Sequence, residues 1–193
     1  MSTVSHRFDD EFESIDFTLE KNLCDEYEDC VFLRCSFAEV DLSNKKFISC
    51  RFEGCNFTGA TLYETIFRDA VFNGCKLLGL QFSRCNEYGF SAEFNGCNLD
   101  LADFSRRTMK KTRFHGCRLH SADFTDTDLK ESNFINSDLG SARFERTNLE
   151  KVDFTGAFNL ILDPALNKMK GAKIPLTELP GLLYMHKIEV ITE

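Results

Sequence analysis

The 193-residue sequence has no tryptophan, three prolines and four tyrosines. Basic residues are fewer than acidic ones, 23 against 31, for a formal net charge of −8. That balance argues against a generic nucleic-acid-binding protein, which is usually basic. No run of 18 apolar residues occurs, so no membrane-spanning helix is expected. The first residues, MSTVSHRF, carry no apolar run either. No secretory signal is therefore expected, and the default is a soluble cytoplasmic protein with reduced thiols. Also missing are a glycine-rich phosphate loop, a Ser-His-Asp set and paired buried carboxylates. Neither an enzyme nor a cofactor site is expected. What the sequence has in excess is twenty phenylalanines and nine cysteines.

The phenylalanines recur every fifth residue. From Phe12 the series runs Phe17, Asn22, Tyr27, Phe32, Phe37, Leu42, Phe47, Phe52, Phe57, Leu62, Phe67, Phe72, Leu77 and Phe82. The phase then slips by two and resumes at Phe94, continuing through Leu99, Phe104 and Met109 to Phe154. Only Asn22 breaks the apolar series. A period of five matches neither a helix nor a strand. Two residues before each of these centres lies a mostly small residue, such as Cys30, Cys55, Ala102, Thr127 or Ser137. The unit therefore reads small, polar, large, polar, polar.

Such a unit places its small and large residues on one side of a short extended segment and turns a corner with the rest. Four sides close a square coil of twenty residues. Phe94, Phe114, Phe134 and Phe154 then form one ladder, and Leu99, Leu119 and Leu139 another. Coils should stack at the strand spacing of about 4.8 Å. Seven glycines (Gly54, Gly59, Gly74, Gly79, Gly96, Gly116, Gly156) fall two residues after a centre, where a type II turn needs positive φ.

Over residues 12–157 these units resemble the pentapeptide-repeat family, with its pattern A(D/N)LXX. The resemblance implies an all-β solenoid, a right-handed quadrilateral β-helix. Length, interruption and tail are most similar to the Qnr, MfpA and AlbG group. The division expected is a β-helix over residues 1–157 with a register break at 83–93, then a capping segment over 158–193. In the break, strict register would put Glu87 at an inward centre, so two residues should leave the coil. That segment is either a tolerated kink or a contact loop with Asn86, Glu87 and Tyr88. In the tail, Asp163-Pro164 reads as the start of a short helix ending at Gly171. A second helix is expected from Pro175 to His186, and a short strand over Ile188, Val190 and Ile191. The tail either caps the last coil or caps it and pairs two chains through Leu179, Leu182, Leu183, Met185, Ile188 and Val190.

Eight of the nine cysteines occupy the small inward position and read as core filler rather than disulfides or metal ligands. His115, Cys117 and His120 have metal-like spacing, but the coil turns Cys117 inward and both histidines outward, so no metal site is expected. Charge is uneven. Residues 9–29 hold ten acids and one lysine, whereas 106–118 hold six basic residues and no acid. Arg107 even falls at an inward position. The acidic coil, with Asp25, Glu26, Glu28 and Asp29, is a candidate protein-binding patch. The resemblance implies a DNA-shaped rod that binds DNA gyrase or topoisomerase IV, as a homodimer and without contacting nucleic acid itself. A rod of about 34 Å compares with duplex DNA carrying about 20 charges over that length, so mimicry at −8 would be partial and local. The other reading is a structural scaffold with an unrelated protein partner.

Overall fold

The computed structural model describes residues 5–19, 23–188 and 191. The chain winds as a parallel β-solenoid with four walls. Walls one and two carry the regular strands. Wall one holds β1 (His6–Phe8), β3 (Glu26–Glu28), β5 (Lys46–Ile48) and β7 (Ile66–Arg68). Wall two holds β2 (Glu11–Glu13), β4 (Val31–Leu33), β6 (Arg51–Glu53), β8 (Ala70–Asn73), β9 (Ala92–Asn95) and β10 (Arg113–His115). Every pairing is parallel, and partners lie twenty residues apart, as in Phe32 opposite Phe52. At the break the offset becomes 22, with Phe72 opposite Phe94.

The centres point inward and stack. On wall two, Phe12, Phe32, Phe52 and Phe72 stack with 4.9 Å between successive ring centroids, and the file continues across the break to Phe94 at 5.3 Å. On wall four Phe82, Phe104, Phe124 and Phe144 do the same. Rings on the opposite walls two and four meet edge to face across the axis, the offset arrangement that aromatic quadrupoles favour. The axis is thus filled by buried side chains. Asn22, the one polar centre, lies outside the described residues.

Nearly every corner residue two after a centre has left-handed backbone; Leu19 and Arg84 are exceptions, Arg84 lying in a 3-10 turn beside the break. Glycine occupies only some of these corners. Arg34, Glu39, Asp69, Leu101, Lys111 and Glu131 adopt φ between 52° and 62° without it. Asp or Asn just before the centre steadies many corners by accepting the N–H two residues on, as Asp123 does from Thr125 (2.8 Å) and Asp103 from Ser105 (2.9 Å).

The inward cysteines do more than fill space. Many corners close with an N–H donated to the centre's carbonyl three residues back, as Ala60 donates to Phe57. No such bond is seen at the corners that end on Cys35, Cys55, Cys75 or Cys97. There the thiol one coil later fills the gap. Cys55, Cys75, Cys97 and Cys117 donate to the carbonyls of Phe32, Phe52, Phe72 and Phe94 at 3.2–3.3 Å. Ser137 makes the same bond to the Phe114 carbonyl (3.1 Å) and in addition accepts the Cys117 N–H (3.0 Å), bridging the corner. All nine cysteines are free, eight of them buried, and burial pushes the Cys50 and Cys85 thiols up to about 12. Thiol titration should therefore find nine groups in denaturant and few reactive ones in the native protein. Cys75→Ala should cost about 1 kcal/mol more than Cys75→Ser, because serine keeps a second donor on the buried Phe52 carbonyl and alanine removes it. Equal melting curves for the two variants would reduce the thiol to filler.

The coil runs further than expected. Asn148 pairs with Lys168 and Asp153 with Lys173, twenty residues on as elsewhere. Met169 and Ile174 extend the series of centres, and Gly171 takes the left-handed corner at φ 77°. The helix expected over 163–171 is therefore absent, and winding passes the expected boundary at 157. The Asp163 side chain accepts the Ala165 N–H (2.8 Å) as at other corners, rather than capping a helix. The second helix is present as α1 (Leu179–Leu183), flanked by 3-10 turns over Leu176–Glu178 and Tyr184–His186. Ile188 and Ile191 lie outside any strand, and Val190 falls outside the described residues. The helix is tied to the last coil. Leu160 N–H donates to Glu178 (2.8 Å), and a Cβ on Gly181 would lie 1.8 Å from the Leu160 carbonyl oxygen. No helix among the described residues is long and apolar enough to cross a membrane.

Candidate partner-binding surfaces

Three surfaces stand out from the regular walls: the acidic first coil, the insert at the break and the tail.

The acidic coil divides into paired and open charges. Asp25 is 3.0 Å from Lys45, which holds its carboxyl below the usual carboxylate range. Glu26 is 3.0 Å from Lys46, and Glu28 is 3.4 Å from His6. These three are half-buried members of the ladder. Asp29 is exposed, as are Asp9, Glu11 and Asp16, and none of these four has a cationic partner among the described residues. They surround the end of the solenoid rather than running along one wall. His6, Glu26 and Glu28 bring three donor atoms within 4.8 Å of one another, but Lys46 already places an ammonium on Glu26.

Farther along, opposite charges face each other from coil to coil. Asp126 takes Arg146 at 2.7 Å, Glu131 takes Lys151 at 3.1 Å, and Asp153 takes Lys173 at 2.7 Å. The basic segment 106–118 wraps one coil, and much of it is neutralised. Lys110, Arg113 and Arg118 pair with Asp128, Glu93 and Asp100. His115 and His120 are exposed while Cys117 is buried, so the three do not converge; His120 instead meets Asp138 at 2.6 Å.

The insert interrupts wall one only. Residues Glu87–Gly89 form a 3-10 turn, with the Asn86 side chain accepting the Tyr88 N–H (3.1 Å). Glu87 is exposed, and Tyr88 projects with 92% of its surface free. Gly89 is buried against Ile66. What holds the insert is Arg107, at the inward position one coil later. Its guanidinium donates to the carbonyls of Cys85 (2.6 Å) and Asn86 (2.8 Å) and lies 4.9 Å from the Phe90 ring centroid. Burial pushes its pKa down. The sequence marked both features, a charged residue inside and two extra residues outside. Only the structure shows that one answers the other.

In the tail Leu182 packs on the core and Leu183 is half-buried, whereas Leu179, Met185 and Ile188 are exposed. Met185 lines an open apolar hollow with Ile161, Leu162 and Leu166.

Two family models match the chain, one described as a pentapeptide repeat region over residues 90–157 and one as pentapeptide repeats (8 copies) over 50–86. Together they cover more than half of the sequence. No curated protein matches it. Among solved structures, a trypsin-treated form of QnrB1, a plasmid-mediated fluoroquinolone resistance protein, is 20% identical. That alignment covers 97% of this chain and 98% of the other, with a TM-score of 0.62. A second trypsin-treated form is 22% identical over the same shares, with a TM-score of 0.54. At such identities the likeness is one of fold. With its five-residue register, its twenty-residue parallel coils and these repeat matches, the chain belongs to the pentapeptide-repeat family.

Proposed function

We propose that the protein is a non-enzymatic binding rod whose acidic first coil docks on a basic, DNA-accepting surface of DNA gyrase or topoisomerase IV. The observation that carries this reading is the cluster of open carboxylates at one end, Asp9, Glu11, Asp16 and Asp29, on a rod whose far coils, from Glu93 to Lys173, are largely paired. The fold it shares with a fluoroquinolone resistance protein supplies the choice of partner. Imitation of DNA is then local: an end rather than a whole face presents the charge. Tyr88 adds a projecting aromatic contact.

Charge at the end should steer association. Replacing Asp9, Glu11, Asp16 and Asp29 with their amides should slow binding to gyrase and flatten its salt dependence. Replacing Asp25 and Glu26 alone should change binding less, because Lys45 and Lys46 already screen them. Association rates at several salt concentrations check this. Unchanged rates in the first variant would remove the acidic end from the mechanism. A second reading, a scaffold for an unrelated protein, is favoured by the neutral coil-to-coil ion pairs; it predicts no gyrase binding in any variant.

The exposed set Leu179, Met185 and Ile188, beside Ile161 and Leu166, supports pairing of two chains through their tails. Light scattering should give twice the 22.1 kDa of one chain. Met185→Asp with Ile188→Asp should halve that mass, and a wild-type monomer at high concentration would leave the tail as a cap alone.

A further inference from the structure

Most arginines on this surface have a carboxylate within 4.0 Å, including Arg34, Arg113, Arg118 and Arg146. Among the described residues, Arg51, Arg68, Arg84, Arg106 and Arg107 have none. Three of these five, Arg84, Arg106 and Arg107, line a single hollow of about 430 Å³ beside the insert. Arg107 is only 6% exposed. Two of its N–H groups are taken by the Cys85 and Asn86 carbonyls, but its Nε has no partner. A buried guanidinium with no counter-ion is costly. Glu64 and Glu87 also line the hollow, yet neither forms an ion pair with these arginines. The Glu64 carboxylate instead accepts the Asn86 amide at 2.6 Å. Three guanidinium groups against two carboxylates leave the hollow with a net positive charge.

We propose that this hollow is an oxyanion site that takes a phosphate group. The exposed Arg84 and Arg106 supply the outer forks, whose planar N–H pairs match phosphate oxygens two at a time. Arg107 supplies a fixed inner charge, held by the carbonyls of the insert. Tyr63, at 58% exposure, stands beside the hollow where the substituent of a phosphate monoester would lie. Glu64 and Glu87 oppose the anion and set its affinity.

The test is calorimetric titration of the full chain with inorganic phosphate and with phenyl phosphate, against chloride at matched ionic strength. Saturable binding of either anion is expected. Equal affinities identify free phosphate as sufficient, and tighter phenyl phosphate identifies an esterified group in contact with Tyr63. Arg84→Gln with Arg106→Gln should weaken binding about tenfold or more, with melting unchanged because both side chains are exposed. Glu87→Gln should tighten it. Arg51→Gln with Arg68→Gln, which removes two unpaired arginines elsewhere, should leave it within about twofold. Absence of saturable binding, or equal losses in the two double variants, overturns the site.

Discussion

Replacing Phe124 with alanine is expected to destabilise the protein by about 3–5 kcal/mol. The ring is fully buried. It stacks on Phe104 and on Phe144 at 5.1 Å each, and it meets Phe114 and Phe134 edge to face at 5.7 and 5.4 Å. Its neighbours cannot close the hole. Phe104 and Phe144 are fixed at the coil spacing by backbone bonds, such as Phe104 N–H to the Asp123 carbonyl and Phe124 N–H to that of Arg143. A cavity that cannot relax carries both the lost transfer energy and the lost contacts. Urea denaturation checks the value. A change under about 1 kcal/mol would mean that position 124 is not inward and that the five-residue register is misplaced.

Arg107→Leu is the second large effect. Leucine suits an inward position by size and polarity, and it relieves the desolvation of a buried charge. Against that, it strips the Cys85 and Asn86 carbonyls of their donors and removes the cation from beside Phe90. Each orphaned buried acceptor costs about 1–3 kcal/mol, so a net loss of about 2–3 kcal/mol is expected. The local consequence is more specific than the global one. The insert should open, and limited proteolysis should cut near Tyr88 much faster than in the parent. A variant that melts lower without faster cleavage there would show that Arg107 supports the coil but not the insert.

Much of this architecture was legible because a filled solenoid forces periodicity on the sequence. An inward centre has no solvent to face, so Phe, Leu or Met must recur at each side. The same regularity exposes departures: Glu87 out of register marks the break, and Arg107 stands out separately as a charge at an inward position. The coil beyond residue 157 was missed although Met169, Gly171, Ala172 and Ile174 carry the pattern. Asp163-Pro164 imitates a helix start, and local turn chemistry outweighed a weakened repeat. The role of cysteine was also only half visible. Burial follows from position, but a thiol bond to a carbonyl of the preceding coil depends on which corners close by themselves. Glycine marked the left-handed corners, yet Arg34, Leu101 and Lys111 hold the same backbone without it, because the stacked coils fix both sides of each corner. The acidic patch was legible as composition only. Which carboxylates are open depends on residues twenty positions away, such as Lys45 and Lys46, and on how the coil aligns them.

The central functional claim is that this rod engages a type II topoisomerase through its acidic end. A gyrase supercoiling assay with a fluoroquinolone tests it most directly. The account predicts that adding the protein changes supercoiling or the drug's inhibition of it, and that the variant lacking the charges of Asp9, Glu11, Asp16 and Asp29 loses this effect. Supercoiling and drug inhibition indifferent to the wild-type protein at every concentration would contradict it.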